Sequence, residues 1–361
     1  MHQRQEVHSG TANKLTGIEA LRGIAAALVV FSHAARHVDR AVPAPNLITL
    51  FEAGHAGVDL FFTLSGFIIL FVHRRDVGRR DRLGHYAARR FDRVMPLYWL
   101  ALAITLGLSA LGGHALPPAP WLAWWAALLP TIEQPLFGIA WTLQYEALFY
   151  VGFGVLIAWP RVGMALLAAW LLAIVLCAGK FIPSLALCQA FGLDFLFGMI
   201  AAELLHRVRL GQPLLLAATA GGMFTSAYVL EAVGLMDGYG VIARFAYGIP
   251  AAMLMLGVAA AERAGSLVVP RWLSALGSAS YSIYLFQFVF IGITWQALLV
   301  SGQADRLPAS ALFLLLAGAS LLGGVVVART VERPLQGVLR RHGWTIRLAV
   351  LRKPTPSVRS A

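Results

Sequence analysis

Two side chains with catalytic potential sit eleven residues apart in LRGIAAALVVFSHAARH, residues 21–37: Arg22 and His33. At 100° per residue, eleven steps return to within about 20° of the starting direction. A helix therefore carries both on one face, about 16 Å apart along its axis. Glu19, three residues before Arg22, lies close to the same stripe. An imidazole titrates near neutrality when unperturbed, which makes His33 a candidate general base. A guanidinium in an apolar helix either snorkels to the interface or faces protein and water. A snorkelling Arg22 and a His33 bonded to a neighbouring helix are the plain readings of each residue alone. Their alignment with Glu19 favours a shared polar face.

The stretch GHAGVDLFFTLSGFIILFVH (54–73) adds Asp59 and Ser65 in a second apolar run, with Gly54, Gly57 and Gly66 permitting close helix approach. Asp59 is an acid that needs a partner. Ser65 lacks the Gly-x-Ser-x-Gly surroundings of a nucleophile elbow, so packing suits it. Both residues are also candidates for the wall of a substrate pore. Next, RRDVGRRDRLGHYAARRFDRVMPLYW (74–99) holds eight arginines within twenty residues. Arg89, Arg90 and Arg93 lead into an apolar run, with Pro96 just beyond. Arg90 and Arg93, three apart, share a helical face. Guanidiniums held this way engage phosphate bidentately. A phosphate-bearing cytoplasmic ligand, anionic lipid and a plain solvated charge run all fit this segment.

In WTLQYEALFYVGF (141–153), Glu146 falls near mid-helix, where a carboxylate either pairs with a membrane Arg or His or handles protons. Asp194 is a weaker case of the same kind, and Arg244 is expected to snorkel near an external helix end. LGSASYSIYLFQF (276–288) opens a late helix with Ser280, Tyr281, Ser282 and Tyr284, followed by Gln287. Such residues cap and pack helices or line a polar cavity.

The elements that hold these residues are expected to be membrane-spanning helices. The 361-residue chain is 59% hydrophobic and 13% charged, against about 25% charged in a soluble domain. Its apolar residues fall in runs of about 20, the length that crosses a bilayer. The reading is an all-α polytopic bundle of about ten spans: 18–37, 54–73, 94–113, 136–158, 162–179, 186–205, 213–231, 241–261, 278–300 and 310–330. WLAWWAALLPTI (121–132) is too short to span comfortably and suits an interfacial or re-entrant helix. With the N-terminus inside, alternation through ten spans puts 22 of the 29 Lys and Arg on the cytoplasmic side and four outside. That asymmetry predicts both termini in the cytoplasm. It also accounts for the net charge of +12 without nucleic acid as a partner.

Residues 1–17 read as a cytoplasmic tail, 18–335 as the transmembrane domain, and 336–361 as a basic tail, partly disordered, on the anionic inner leaflet. No cleavable signal peptide and no internal repeat is visible, and the missing repeat weighs against a transporter of duplicated halves. Cys177 and Cys188 lie in apolar segments and read as small buried hydrophobes.

Taken together, these segments resemble the acyltransferase-3 family of bacterial membrane O-acyltransferases. The matching pieces, in family order, are LRGIAAALVVFSHA with its Arg-x10-His spacing, GVDLFFTLSGFII, RRFDRVMPLYW, WTLQYEALFY, SYSIYLFQ and VERPL. The resemblance implies about ten spans in the inner membrane. It also implies transfer of an acyl group, usually acetyl, from cytoplasmic acyl-CoA to hydroxyls of cell-surface or secreted glycans. By position Arg22 and His33 match the family's essential pair, Arg90 and Arg93 its donor-side loop, and Glu146 its membrane carboxylate. One departure is Gln287, where many members carry His; Gln cannot act as a base.

The chemistry of the residues agrees with that expectation. Acyl transfer to a sugar hydroxyl needs a base, cations for the donor's phosphates, and shielding from water. His33, Glu146 and Arg22 are the expected catalytic residues, with His33 either moving a proton or carrying the acyl group. Arg89, Arg90 and Arg93 are expected to bind acetyl-CoA. Asp59, Ser65, Ser280, Tyr281 and Gln287 are expected along the pore to a glycan or lipid-linked saccharide acceptor. No metal is expected. The rival reading is a glycan exporter or flippase that uses the same cavity without chemistry.

Overall fold

Long apolar stretches broken by short polar links fold here into helices alone. The computed structural model describes residues 15–130, 137–183 and 188–341, and no strand occurs among them. In chain order the helices are α1 (Thr16–Ala41), α2 (Pro45–Phe51), α3 (Gly57–His73), α4 (Leu83–Leu111), α5 (Ala119–Ala126), α6 (Ala140–Ala158) and α7 (Pro160–Ala178). The second half holds α8 (Gly192–Arg207), α9 (Pro213–Ala232), α10 (Val241–Arg263), α11 (Arg271–Ser278), α12 (Ser280–Val300), α13 (Ala309–Val327) and α14 (Arg333–Arg341).

Among the described residues, eight helical stretches are long and apolar enough to cross a membrane: α1, α2 through α3, α4, α7, α9, α10, α12 and α13. The expected spans at 136–158 and 186–205 are helices too, α6 and α8, but neither is among the eight. At 16 residues, α8 falls short of the roughly 20 that cross hydrocarbon unaided. The short helix α5, eight residues long, agrees with a segment that does not span; residues 131–132 of that stretch lie outside the described residues. The expected span 94–113 began too late: α4 starts at Leu83 and runs through Pro96. Arg89, Arg90 and Arg93 thus ride on a helix and not in a loop.

Burial sorts the helices into centre and rim. About 67% of the most apolar window of α3 is buried inside the protein, against 17% for α7, so α3 is central and α7 presents its apolar surface outward. Hydrophobic burial does not drive helices together in lipid, so close approach must come from small residues. The α3–α8 crossing shows this. A Cβ at Gly66 would collide with the carbonyl oxygen of Phe195, and one at Gly198 with that of Thr63. Phe62, Phe195 and Phe149 then stack across α3, α8 and α6 at 4.6 and 4.5 Å between ring centroids. At the start of α1, the free amides of Thr16 and Gly17 donate to the Glu262 carboxylate on α10, at 2.7 and 2.8 Å. A carboxylate there satisfies orphan donors and complements the helix dipole.

Two expectations about single residues are corrected. Arg244 does not snorkel; its side chain is fully buried and ion-paired. Cys177 and Cys188 are unbonded, as expected, but half-buried rather than buried.

Candidate active site

Helical spacing turns several of the singled-out residues toward one point. Arg90, Arg93 and Val94 stand at i, i+3 and i+4 on α4. Thr142, Glu146 and Tyr150 stand at i, i+4 and i+8 on α6, and Ser280, Tyr281 and Tyr284 share a face of α12. With Arg22 from α1 and Ser65 from α3, they line a cavity of about 230 Å³. Five helices contribute, so the site exists only in the folded bundle.

Glu146 is the cavity's single carboxylate. It accepts a hydrogen bond from Ser65 Oγ at 3.1 Å and a short one from the Tyr150 hydroxyl. Three guanidiniums line the same cavity: Arg22, Arg90 and Arg93. Neither Arg22 nor Arg93 makes a hydrogen bond or ion pair among the described residues. Arg90 lies over the rings of Tyr86 and Tyr150, at 5.9 and 5.6 Å, and its Nε has no acceptor. Counting formal charges, the wall carries three positive groups against one negative. Such a cavity suits an anionic ligand, because guanidiniums left without partners keep their donors and charge free for one.

The hydroxyls of the wall are mostly committed. Tyr281 donates to the Val94 carbonyl at 2.8 Å, and Thr142 and Tyr284 share a 2.6 Å bond. Ser280 Oγ is buried without a partner among the described residues. The VERPL segment braces this side: Ser282 donates to Glu332 at 2.5 Å.

His33 stands apart from this cavity. Its Nδ1 lies 2.9 Å from Gln287 Oε1, and its ring packs 4.6 Å from that of Phe288. Gln287 Nε2 donates to the Tyr284 carbonyl at 3.0 Å, which fixes the amide with its oxygen toward His33. An amide oxygen only accepts, so Nδ1 must carry the proton and Nε2 is left as the basic nitrogen. Gln287 cannot be a base, yet it sets the tautomer of His33. No hydrogen bond joins Glu146 to His33; Glu146 faces Arg22, Arg90 and Arg93 instead.

Two further expected residues lie elsewhere. Arg89 is exposed and outside the cavity lining, about 100° round the helix from Arg90. Asp59 is in a separate cluster, where Oδ1 meets Arg244 Nη1 at 2.5 Å with both side chains fully buried. Asp194, also fully buried, faces the same pair, and Phe191 lies 4.0 Å under the Arg244 guanidinium. Nearby, Glu231 accepts from Tyr247 and pairs with His55, both at 2.6 Å. Tyr150 and His55 were not singled out from the sequence. Tyr150 had a signal, four residues after Glu146 in WTLQYEALFY; His55 and Glu231 had none, being 176 residues apart.

No group of three or more His, Cys, Asp or Glu side chains arranged to hold a metal ion occurs among the described residues. A family profile described as an acyltransferase domain matches residues 15–329. The chain is 29% identical over 303 residues to the "Exopolysaccharide production protein ExoZ" of Rhizobium meliloti (strain 1021), covering 79% of this chain and 90% of that one. It is 34% identical over 88 residues to "Protein 2 in picA locus" of Rhizobium radiobacter, covering 24% of this chain and 41% of that one. No solved structure matches.

Proposed function

From the premise that this chain belongs to the acyltransferase-3 family, we propose that it moves an acetyl group from cytoplasmic acetyl-CoA to a hydroxyl of a cell-surface or secreted polysaccharide, or of its lipid-linked precursor. The single observation that carries this reading is the cavity that Arg22, Arg90 and Arg93 line together with Glu146. A relative named for exopolysaccharide production supports the class of acceptor. Counting α6 and α8 with the eight longer stretches gives ten crossings, with both termini in the cytoplasm of a cell whose inner membrane holds the protein.

In this reading the cavity takes the phosphate-bearing part of the donor, and the thioester arm extends along α1 to His33, where it meets the acceptor. The cavity's volume of about 230 Å³ is below the roughly 300–1,000 Å³ that encloses a drug-sized ligand, so the bulk of the cofactor stays outside. The guanidiniums hold the negative charge of the donor's phosphates. Glu146, held by Ser65 and Tyr150, offsets part of the positive charge of this wall before the donor binds. His33 Nε2 takes the proton from the acceptor hydroxyl, whose oxygen forms the new ester bond as the thioester C–S bond breaks. The CoA thiolate leaves and is protonated by solvent. The eleven-residue step from Arg22 to His33, about 16 Å of helix, separates an inner station for the donor's phosphates from an outer station at His33 where thioester and acceptor meet.

The test is transfer of label from radiolabelled acetyl-CoA in inside-out vesicles, with and without candidate glycans. The expected result is donor-dependent label in the glycan fraction. No label in any glycan fraction, with unmodified polymer still crossing the membrane, would replace this reading by the exporter.

A further inference from the structure

One buried imidazole has no part in the scheme above. His73, the last residue of α3, is 2% exposed. Its Nδ1 lies 2.8 Å from Asp76 Oδ2. A carboxylate accepts, so Nδ1 carries the proton and Nε2 presents its lone pair. That lone pair faces Arg90 Nη2 at 3.4 Å. Tyr86 packs edge-on against the imidazole, with centroids 5.0 Å apart and planes at 90°. His73 is the one hydrogen-bond acceptor that Arg90 meets among the described residues. The guanidinium also lies over the rings of Tyr86 and Tyr150.

The choice of acceptor matters. Arg90 shares its cavity with Arg22 and Arg93, and like charges disfavour holding it there unaided. A carboxylate at position 73 would hold Arg90 but cancel its charge by forming an ion pair. A neutral imidazole holds it with a hydrogen bond and leaves the charge available to a ligand. Asp76 stands one residue further back, where it orients the ring without touching Arg90.

We propose that His73, oriented by Asp76, is a positioning residue that aims the Arg90 guanidinium into the reaction cavity with its charge intact for an anionic acyl donor. The inference rests on the acyl-donor reading of the cavity. It makes a specific demand: His73 acts only through Arg90.

A double-mutant cycle tests that demand. Wild type, His73→Ala, Arg90→Ala and the double variant are compared in vesicles for kcat and KM toward acetyl-CoA. The expected loss in kcat/KM from His73→Ala is on the order of tenfold, within the coupling found for contacting side chains, and is carried mainly by KM. In the Arg90→Ala background the same change is expected to add nothing. His73→Gln, which keeps an acceptor, restores most of the loss and guards against a variant that fails to fold. Equal losses in both backgrounds, or a His73→Ala effect on kcat alone, overturn the proposal. If wild type transfers no label, the acyl-donor reading fails by itself. The same four proteins in detergent then decide whether the contact exists: no coupling in thermal unfolding overturns the positioning role, and coupling retains it.

Discussion

The Asp59–Arg244–Asp194 cluster separates what holds the bundle together from what does the chemistry. Arg244 sits fully buried on α10, 2.5 Å from Asp59 on α3, with Asp194 of α8 facing the pair. Removing one partner of a buried ion pair leaves an uncompensated charge and costs about 3–5 kcal/mol. Arg244→Ala is therefore expected to lower stability by about that much. At roughly 2–4 °C per kcal/mol for a large domain, the melting temperature in detergent should fall by about 6–20 °C. Two carboxyl groups face one guanidinium, so Asp194→Asn, which removes one negative charge, is expected to change it far less. Replacing the whole pair by apolar residues, Asp59→Leu with Arg244→Met, should recover much of the loss, because neither charge is then left unpaired. The assay is thermal unfolding of the purified proteins, followed by acyl transfer per folded molecule. KM for the donor should be unchanged in the variants that fold. The reasoning is refuted if Asp194→Asn is as damaging as Arg244→Ala, or if Asp59→Asn keeps full stability while raising donor KM. The second result would return Asp59 to the substrate path.

Other consequences follow from the same geometry. His33→Ala should lower glycan acylation at least 100-fold, the scale of lost general-base catalysis; full activity in membranes would exclude His33 as base or relay. Gln287→Ala removes the acceptor that fixes the His33 tautomer, and should cost about fivefold in kcat, in line with one hydrogen bond of about 1 kcal/mol, with donor KM unmoved. Arg93→Ala should raise KM for acetyl-CoA by about tenfold and weaken its dependence on salt, read from initial rates at several ionic strengths. Gly198→Val places side-chain atoms against the Thr63 carbonyl and should abolish assembly, measured as loss of monodisperse protein on extraction.

Much of the site was legible in one dimension because helices convert spacing into direction. Arg90 and Arg93, three apart, do share a wall, and Glu146, Ser65, Ser280 and Tyr281 do line the same cavity. What could not be read was which polar faces meet. Asp59 and Arg244 are 185 residues apart and each has an unremarkable sequence context. Only the packing of α3 against α8 and α10 makes them partners, and so withdraws Asp59 from the cavity. Arg89 was grouped with its neighbour Arg90 by adjacency, yet one residue step of about 100° turns it outward.

The amino-acid sequence by itself determined that the chain is a helical membrane protein, that Arg22 and His33 share a face, and that cations concentrate over residues 74–93. Each of these depends on hydropathy and helical period, which are local properties. Tertiary structure alone decided that Glu146 bonds to Ser65 and Tyr150 in a cavity it shares with three arginines, apart from His33, and that Gln287 sets a tautomer. It also decided that His73 reaches Arg90. Those facts depend on the approach of α1, α3, α4, α6 and α12, and that approach is governed by glycine contacts and aromatic stacking between residues far apart in the chain. A polar side chain in a membrane must find a partner; its own neighbours in sequence do not say which one.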